Sequence, residues 1–124
     1  MQPLALVFYE KLMPGSQLVN RLQDLNYRVQ AIADPNQLPA AAETQGPMLV
    51  FVDLQSNRDD VDVPALIGRL RGNPATAHVP VVGFSTEAGA LQAQAQAAGA
   101  TLVVSEAVLL SSLPQVLEQA LQVD

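Results

Sequence analysis

Cysteine and tryptophan are absent from this 124-residue chain. The first absence removes disulfides, thiolate metal sites and cysteine nucleophiles together, and it fits a reducing compartment. Aromatics are scarce at 4%, so apolar residues, 49% of the chain, are mainly Leu, Val, Ile and Ala. That palette suits helices packed on a parallel sheet. Basic residues number 6 against 12 acidic, a formal charge of −6, which leaves no electrostatic footprint for gripping phosphate backbones. Direct binding to nucleic acid is therefore not expected. The first apolar run, Leu4 to Phe8, is far too short to span a bilayer, and only Met1, Gln2 and Pro3 stand where a signal peptide would carry basic residues. No membrane segment is expected, and the chain reads as cytoplasmic.

A chain of this length buries enough apolar surface to be stable without cross-links. Five apolar or β-branched runs recur along it: Leu4 to Tyr9, Tyr27 to Ala33, Met48 to Asp53, Val79 to Phe84 and Thr101 to Val104. Most are near-continuous, as strands covered on both faces should be. The second alternates, with Arg28 and Gln30 interleaved before Asp34, and suits a sheet edge.

Helical spacing fills the intervals. Leu18, Val19, Leu22 and Leu25 form one stripe, with Pro14 and Ser16 as start signals. Leu66, Ile67 and Leu70 form another, entered through Asp62 and Pro64 and ended by Gly72, Asn73 and Pro74. Gly89 to Ala98 is rich in Ala and Gln and stops at Gly99, and a last helix carries Leu113, Val116, Leu117, Ala120 and Leu121. Between Pro35 and Gln45, Pro39 is expected to limit any helix to Ala40 through Glu43. Alternating strands and helices imply right-handed βαβ crossovers. The expected fold is one α/β domain over residues 1–124, a flavodoxin-like, doubly wound, five-stranded parallel sheet with helices on both faces in three layers.

In such a fold the binding crevice lies at the carboxyl ends of the strands, near the point where strand order reverses. Tyr9 and Glu10, Asp34, Asp53 with Leu54 to Asn57, Ser85 with Thr86, and Ser105 with Glu106 occupy those places. Asp53 closes the most apolar run, Met48-Leu49-Val50-Phe51-Val52. A carboxylate there can be a hard ligand for a divalent cation or a nucleophile toward a phosphoryl group. It can equally cap the turn that follows.

Other candidates read as structural. His78, the single histidine, precedes a strand and has no acidic neighbour, which suits a loop or helix end. Asp59, Asp60 and Asp62 precede a helix and suit its cap and dipole. No glycine-rich strand-to-helix loop for nucleotides and no Gly-x-Ser-x-Gly elbow is present.

The order of elements, and three local signatures, resemble the receiver (CheY-like) domains of two-component response regulators over essentially the whole chain. His78-Val79-Pro80-Val81-Val82-Gly83-Phe84-Ser85 resembles the fourth strand of that family, Ala97-Ala98-Gly99-Ala100 its step before the fifth, and Leu25-Asn26-Tyr27 stands at its Gly-Tyr turn into the second. The resemblance implies that Asp53 is the phosphoacceptor and Ser85 the hydroxyl that senses the phosphoryl group. It also implies departures. Tyr9 and Glu10 replace the acidic pair that holds magnesium, leaving Glu10 and Asp53 as a reduced set of candidate metal ligands. The lysine that ends the fifth strand is replaced by Ser105 or Glu106, and the proline after the acceptor by Asn57.

The expected function is therefore a receiver-like, non-enzymatic protein-interaction module in phosphorelay signal transduction, with phosphorylation weakened or lost. The face implied for partners is the fourth helix, fifth strand and fifth helix, here Ala90 to Ala98, Val103 to Glu106, and Leu110 to Gln122. Ala107 to Leu110 either favour a homodimer or lie buried under the last helix. One alternative is a working acceptor, in which Asp53 takes a phosphoryl group from a histidine kinase or small donor with Glu10 on magnesium. A lesser one is a small-molecule binder with Tyr9 and Phe84 at its mouth.

Overall fold

The computed structural model describes residues 4–8, 12–32, 37–53, 63–74, 76–85 and 96–122. Tyr9, Glu10, Asp34, Leu54 to Asn57, the Asp59, Asp60 and Asp62 group, Thr86 and residues 89–95, all named from the sequence, lie outside them.

Five strands, β1 (Leu4–Phe8), β2 (Arg28–Ile32), β3 (Leu49–Asp53), β4 (Val81–Ser85) and β5 (Leu102–Ser105), pair in parallel in the order β2-β1-β3-β4-β5. The helices are α1 (Leu12–Asp24), α2 (Leu38–Gln45), α3 (Val63–Gly72), α4 (Glu106–Ser111) and α5 (Leu113–Gln122). This is the flavodoxin-like strand order, and it bears out the expected fold class. Leu49 through Val52 are fully buried at the centre, whereas β2 lies at the edge, as expected, although its exposure does not alternate: Arg28 and Ala31 are exposed, Val29 and Gln30 half-buried and Ile32 buried.

The alternating faces of the strands build two cores. Leu6, Phe8, Val50 and Val52 pack with Leu38 and Ala42 of α2 and with Leu66, Ile67 and Leu70 of α3. Ala5, Val7, Leu49, Phe51, Val82 and Phe84 pack with Leu18 and Leu22 of α1 and with Leu109, Leu113, Val116, Leu117 and Ala120 of α4 and α5. Helices on both faces follow directly from strands apolar at every position.

Several local expectations are corrected. Pro39 does not confine its helix to Ala40 through Glu43: α2 begins at Leu38, and a proline in the first turn sacrifices no intrahelical hydrogen bond. α1 starts at Leu12, ahead of Pro14 and Ser16, for the same reason. Leu25 lies beyond α1 and is 38% exposed, so its stripe buries Leu18 and Leu22 and not Leu25. The last helix runs from Leu113 as expected, but Leu110, grouped with it in the partner face, belongs to α4, because Ser112, with ψ 32°, separates the two helices although its N–H still reaches the Val108 carbonyl.

α1 ends in a Schellman motif. The Tyr27 N–H donates to the Leu22 carbonyl at 3.0 Å and the Asn26 N–H to the Gln23 carbonyl at 3.0 Å. Asn26 holds φ +70° there, at the glycine place of the resemblance. Asn tolerates this left-handed conformation far better than a β-branched residue. Asn26→Val is therefore expected to cost about 1–2 kcal/mol and Asn26→Gly well under about 1 kcal/mol, read from urea melts.

Tyr27 packs against the α1 core, and burial raises its phenol above the ordinary tyrosine value. The folded chain thus holds the proton that the unfolded chain releases near pH 10. Stability from this source is complete below that value and is lost as pH rises through the higher folded value. A melt series across alkaline pH should show a steeper decline for the wild type than for Tyr27→Phe; identical slopes would contradict it.

Candidate functional site

Because every strand is parallel, all five carboxyl ends lie along one edge of the sheet. The chain leaves β1 to form β2 on one side and β3 on the other, which makes the β1/β3 boundary the switch point where a crevice opens. Asp53, the last residue of β3, stands on the central strand beside that boundary, paired with Phe84 of β4 and only 2% exposed. Strand alternation puts it on the same face as Leu49 and Phe51, the face covered by α1, α4 and α5. A carboxylate so deeply placed requires polar company, and among the described residues no buried side-chain nitrogen or oxygen lacks a hydrogen-bond partner.

Ser85 ends β4 and is paired with Ser105, which ends β5. The backbone therefore brings Asp53 and Ser85 to one edge, as read from the sequence, with Ser105 beside them. Glu10 lies outside the described residues.

Of Ser105 and Glu106, Ser105 is the residue that completes the strand, while Glu106 opens α4. Extended backbone at Ser105, with φ −75° and ψ 158°, turns its hydroxyl onto the helix, where Oγ accepts from the Val108 N–H at 3.2 Å. Ser105 is thus an N-cap, satisfying one of the amides that α4 leaves open. A neutral hydroxyl engaged in this way supplies no positive charge to the strand ends.

Among the described residues no three His, Cys, Asp or Glu side chains stand together to hold a metal ion. The described part of the site offers Asp53 alone toward magnesium, which does not by itself make a magnesium site. His78 is exposed in the turn before β4, at the opposite edge of the sheet. No described helix is long and apolar enough to cross a membrane. Phe84, read as lining the mouth of the crevice, is fully buried in the α1 core. A cleft of about 290 Å³ does exist, but Arg21, Asp24, Leu25, Leu110, Ser111, Leu113 and Pro114 line it, toward the C-terminal end of α1 and away from the carboxyl ends of the strands.

No family model matches the chain, and no curated protein is similar to it in sequence. Solved structures are similar. The receiver domain of the sensor histidine kinase PA1611 from Pseudomonas aeruginosa PAO1, determined with a magnesium ion in its active-site cleft, superposes with a TM-score of 0.86 at 18% identity, over 98% of each chain. A putative response regulator from Chloroflexus aurantiacus J-10-fl gives 0.85 at 18% identity over 98% of each chain. The chain has the receiver-domain fold. The chemotaxis protein CheY4 of Vibrio cholerae shares this receiver fold at a TM-score of 0.84 and 18% identity, over 97% of this chain and 99% of that one. At such identities the likeness is one of fold, and what a receiver fold does here rests on its own residues.

Sequence reasoning missed one polar centre, Arg71. Its guanidinium donates to the carbonyls of Gly99 and Ala77, each at 2.6 Å, and to the Thr101 hydroxyl. The acceptors lie 28, 6 and 30 residues away, so no local pattern could have announced them.

Proposed function

We propose that this chain is a receiver-like docking module of phosphorelay signal transduction in the cytoplasm, whose acceptor chemistry is weakened or lost. The observation that carries the reading is Ser105. Where the resemblance asks for a lysine ammonium, the chain has a neutral hydroxyl already committed to capping α4.

Moving a phosphoryl group to Asp53 would form a bond from a carboxylate oxygen to phosphorus as the bond to the donor breaks. Negative charge spreads over the transferring oxygens in that step, and preorganised positive charge is the main means of stabilising it. Asp53 supplies the nucleophile and Ser85 stands at the neighbouring strand end, but β5 supplies no cation. The net charge of −6 makes the whole molecule a poor attractor for a phosphorylated donor.

Docking needs none of this. Of the face the resemblance implies, Ala90 to Ala98 falls largely outside the described residues, and between Val103 to Glu106 and Leu110 to Gln122 stand the exposed Ala107 and the 46% exposed Val108 of α4, while Leu109 is fully buried. The run from Ala107 to Leu110 is thus divided between surface and core. A protein partner, a second copy of the chain among them, gains apolar contact at Val108.

A working acceptor is the second reading, favoured by the burial of Asp53 at the end of the central strand. It requires a cation held with the help of Glu10 and a donor such as a histidine kinase. Incubation with a small phosphodonor, read by intact mass, separates the two. The docking reading expects little or no added phosphoryl mass, whereas ready, near-complete uptake that Asp53→Asn abolishes would establish the acceptor.

A further inference from the structure

β5 is the outermost strand on its side of the sheet and is weakly held by packing. Val103 alone of its four residues is buried, and Leu102, Val104 and Ser105 are half-exposed, whereas all five residues of β3 are buried. Apolar burial is the main force holding a strand in a sheet, so β5 has less of it per residue than any central strand. Polar ties are instead concentrated where β5 begins.

Arg71, in the last turn of α3, makes three of them. Nε donates to the Gly99 carbonyl at 2.6 Å, Nη1 to the Ala77 carbonyl at 2.6 Å, and Nη2 to the Thr101 hydroxyl. Thr101 passes the connection to β4: its Oγ1 accepts from the Val81 N–H at 3.2 Å, and its own N–H donates to the Val81 carbonyl at 2.8 Å. One guanidinium fork thereby joins the end of α3, the turn leading into β4 and the turn leading into β5. The planar five-donor group of arginine suits such a multiple tie, which a lysine cannot reproduce.

The fit depends on glycine. Gly99 holds φ +119°, and a Cβ built there would lie 2.6 Å from Cγ of Arg71. The aliphatic stem of Arg71 runs through the space that a side chain at residue 99 would take, so the chain can pass only without one.

We infer that Arg71, seated under Gly99, is a latch that closes the β5 edge of the sheet, and that β5 opens as a unit separate from β1 and β3 when the latch is removed. Strands opening in separable units is ordinary behaviour for small domains, and an edge strand held by few apolar contacts is the natural unit to open first. The inference rests on these contacts alone and does not depend on whether Asp53 takes a phosphoryl group.

Amide hydrogen exchange of the whole chain tests it. Arg71→Ala should speed exchange at Val81, Thr101 and the β5 amides by about tenfold or more, about 1.4 kcal/mol of local stability, with the Met48 amide, which donates to the Leu4 carbonyl at 2.8 Å on the β1 side of β3, little changed. Gly99→Ala should give the same pattern. In the Arg71→Ala background Gly99→Ala should add much less than it does alone, because Cγ is gone and only the backbone preference of residue 99 remains. Arg71→Lys keeps the stem but not the fork and serves if the alanine variant fails to fold; it should show the same localised acceleration. Equal acceleration in β1, β3 and β5, no acceleration in β5, or strictly additive effects of the two alanine substitutions would overturn the latch.

Discussion

Phe51→Ala is expected to cost about 3–5 kcal/mol, a large part of the roughly 5–15 kcal/mol that holds a domain of this kind together. Phe51 is fully buried at the middle of β3, paired with Val7 on one side and Val82 on the other. Its ring faces the core made by Leu18 and Leu22 of α1 and by Leu109 and Leu113 at the junction of α4 and α5. The backbone on both sides is fixed by parallel ladders, so the cavity would collapse little and the full cavity cost would be felt. Met48→Ala is the control. Met48 precedes the strand and is 46% exposed, so the change should cost well under about 1 kcal/mol. Urea denaturation of both variants checks the pair, and comparable losses would mean that the core is not centred on β3.

The second large effect concerns Ser105. If the missing cation is what disables the acceptor, Ser105→Lys should raise phosphoryl uptake at Asp53 by about 10²-fold, the scale on which removing a single preorganised charge stabiliser slows acyl-transfer enzymes. The same substitution removes the N-cap hydroxyl from the Val108 N–H and should lower stability by about 1 kcal/mol. Ser105→Ala loses the cap without gaining the charge, and so isolates the second effect from the first. Uptake should rise for Ser105→Lys, stay at the parent level for Ser105→Ala, and vanish again when Asp53→Asn is added to the lysine variant. Equal uptake in the lysine and alanine variants would show that charge at the end of β5 is not the limiting feature.

Serine at 105 thus gives α4 a cap that lysine would not. In sequence the position reads only as the loss of a lysine, with Ser105 and Glu106 both candidates for its place. The register resolves this because β5 pairs with β4 through Ser85 and Ser105 and the helix begins at the next residue. No motif carries that information, since a one-residue shift leaves the apolar pattern of a half-buried edge strand almost unchanged.

Elsewhere the legible parts are those governed by apolar period. Continuous runs gave β1, β3 and β4 within two residues at either end, and the alternation around Arg28 and Gln30 marked β2 as an edge. Helix ends were harder, because propensity treats a proline as a breaker wherever it falls, while geometry spares it in the first turn, as at Pro14 and Pro39. The break at Ser112 was hidden because apolar residues continue at helical spacing on both sides of it. Asn26 was placed at its turn by resemblance, and its positive φ explains why a residue other than glycine serves there. Arg71 was invisible because its partners are carbonyls and a hydroxyl of segments joined only by the fold. At the candidate site Asp53 stood out for a physical reason that survives in the structure: a carboxylate closing five apolar residues must lie at the end of a buried strand.

Docking without phosphorylation is tested by titrating the protein first with magnesium and then with beryllofluoride, a mimic of the phosphoryl group, while following backbone amides by NMR. A group bound at the ends of β3, β4 and β5 must perturb the amides of Val52, Asp53, Ser85 and Ser105. No saturable shift is expected at these residues at millimolar concentrations of either reagent. Saturable shifts centred on Asp53 and Ser85 would contradict it and make the chain a working receiver.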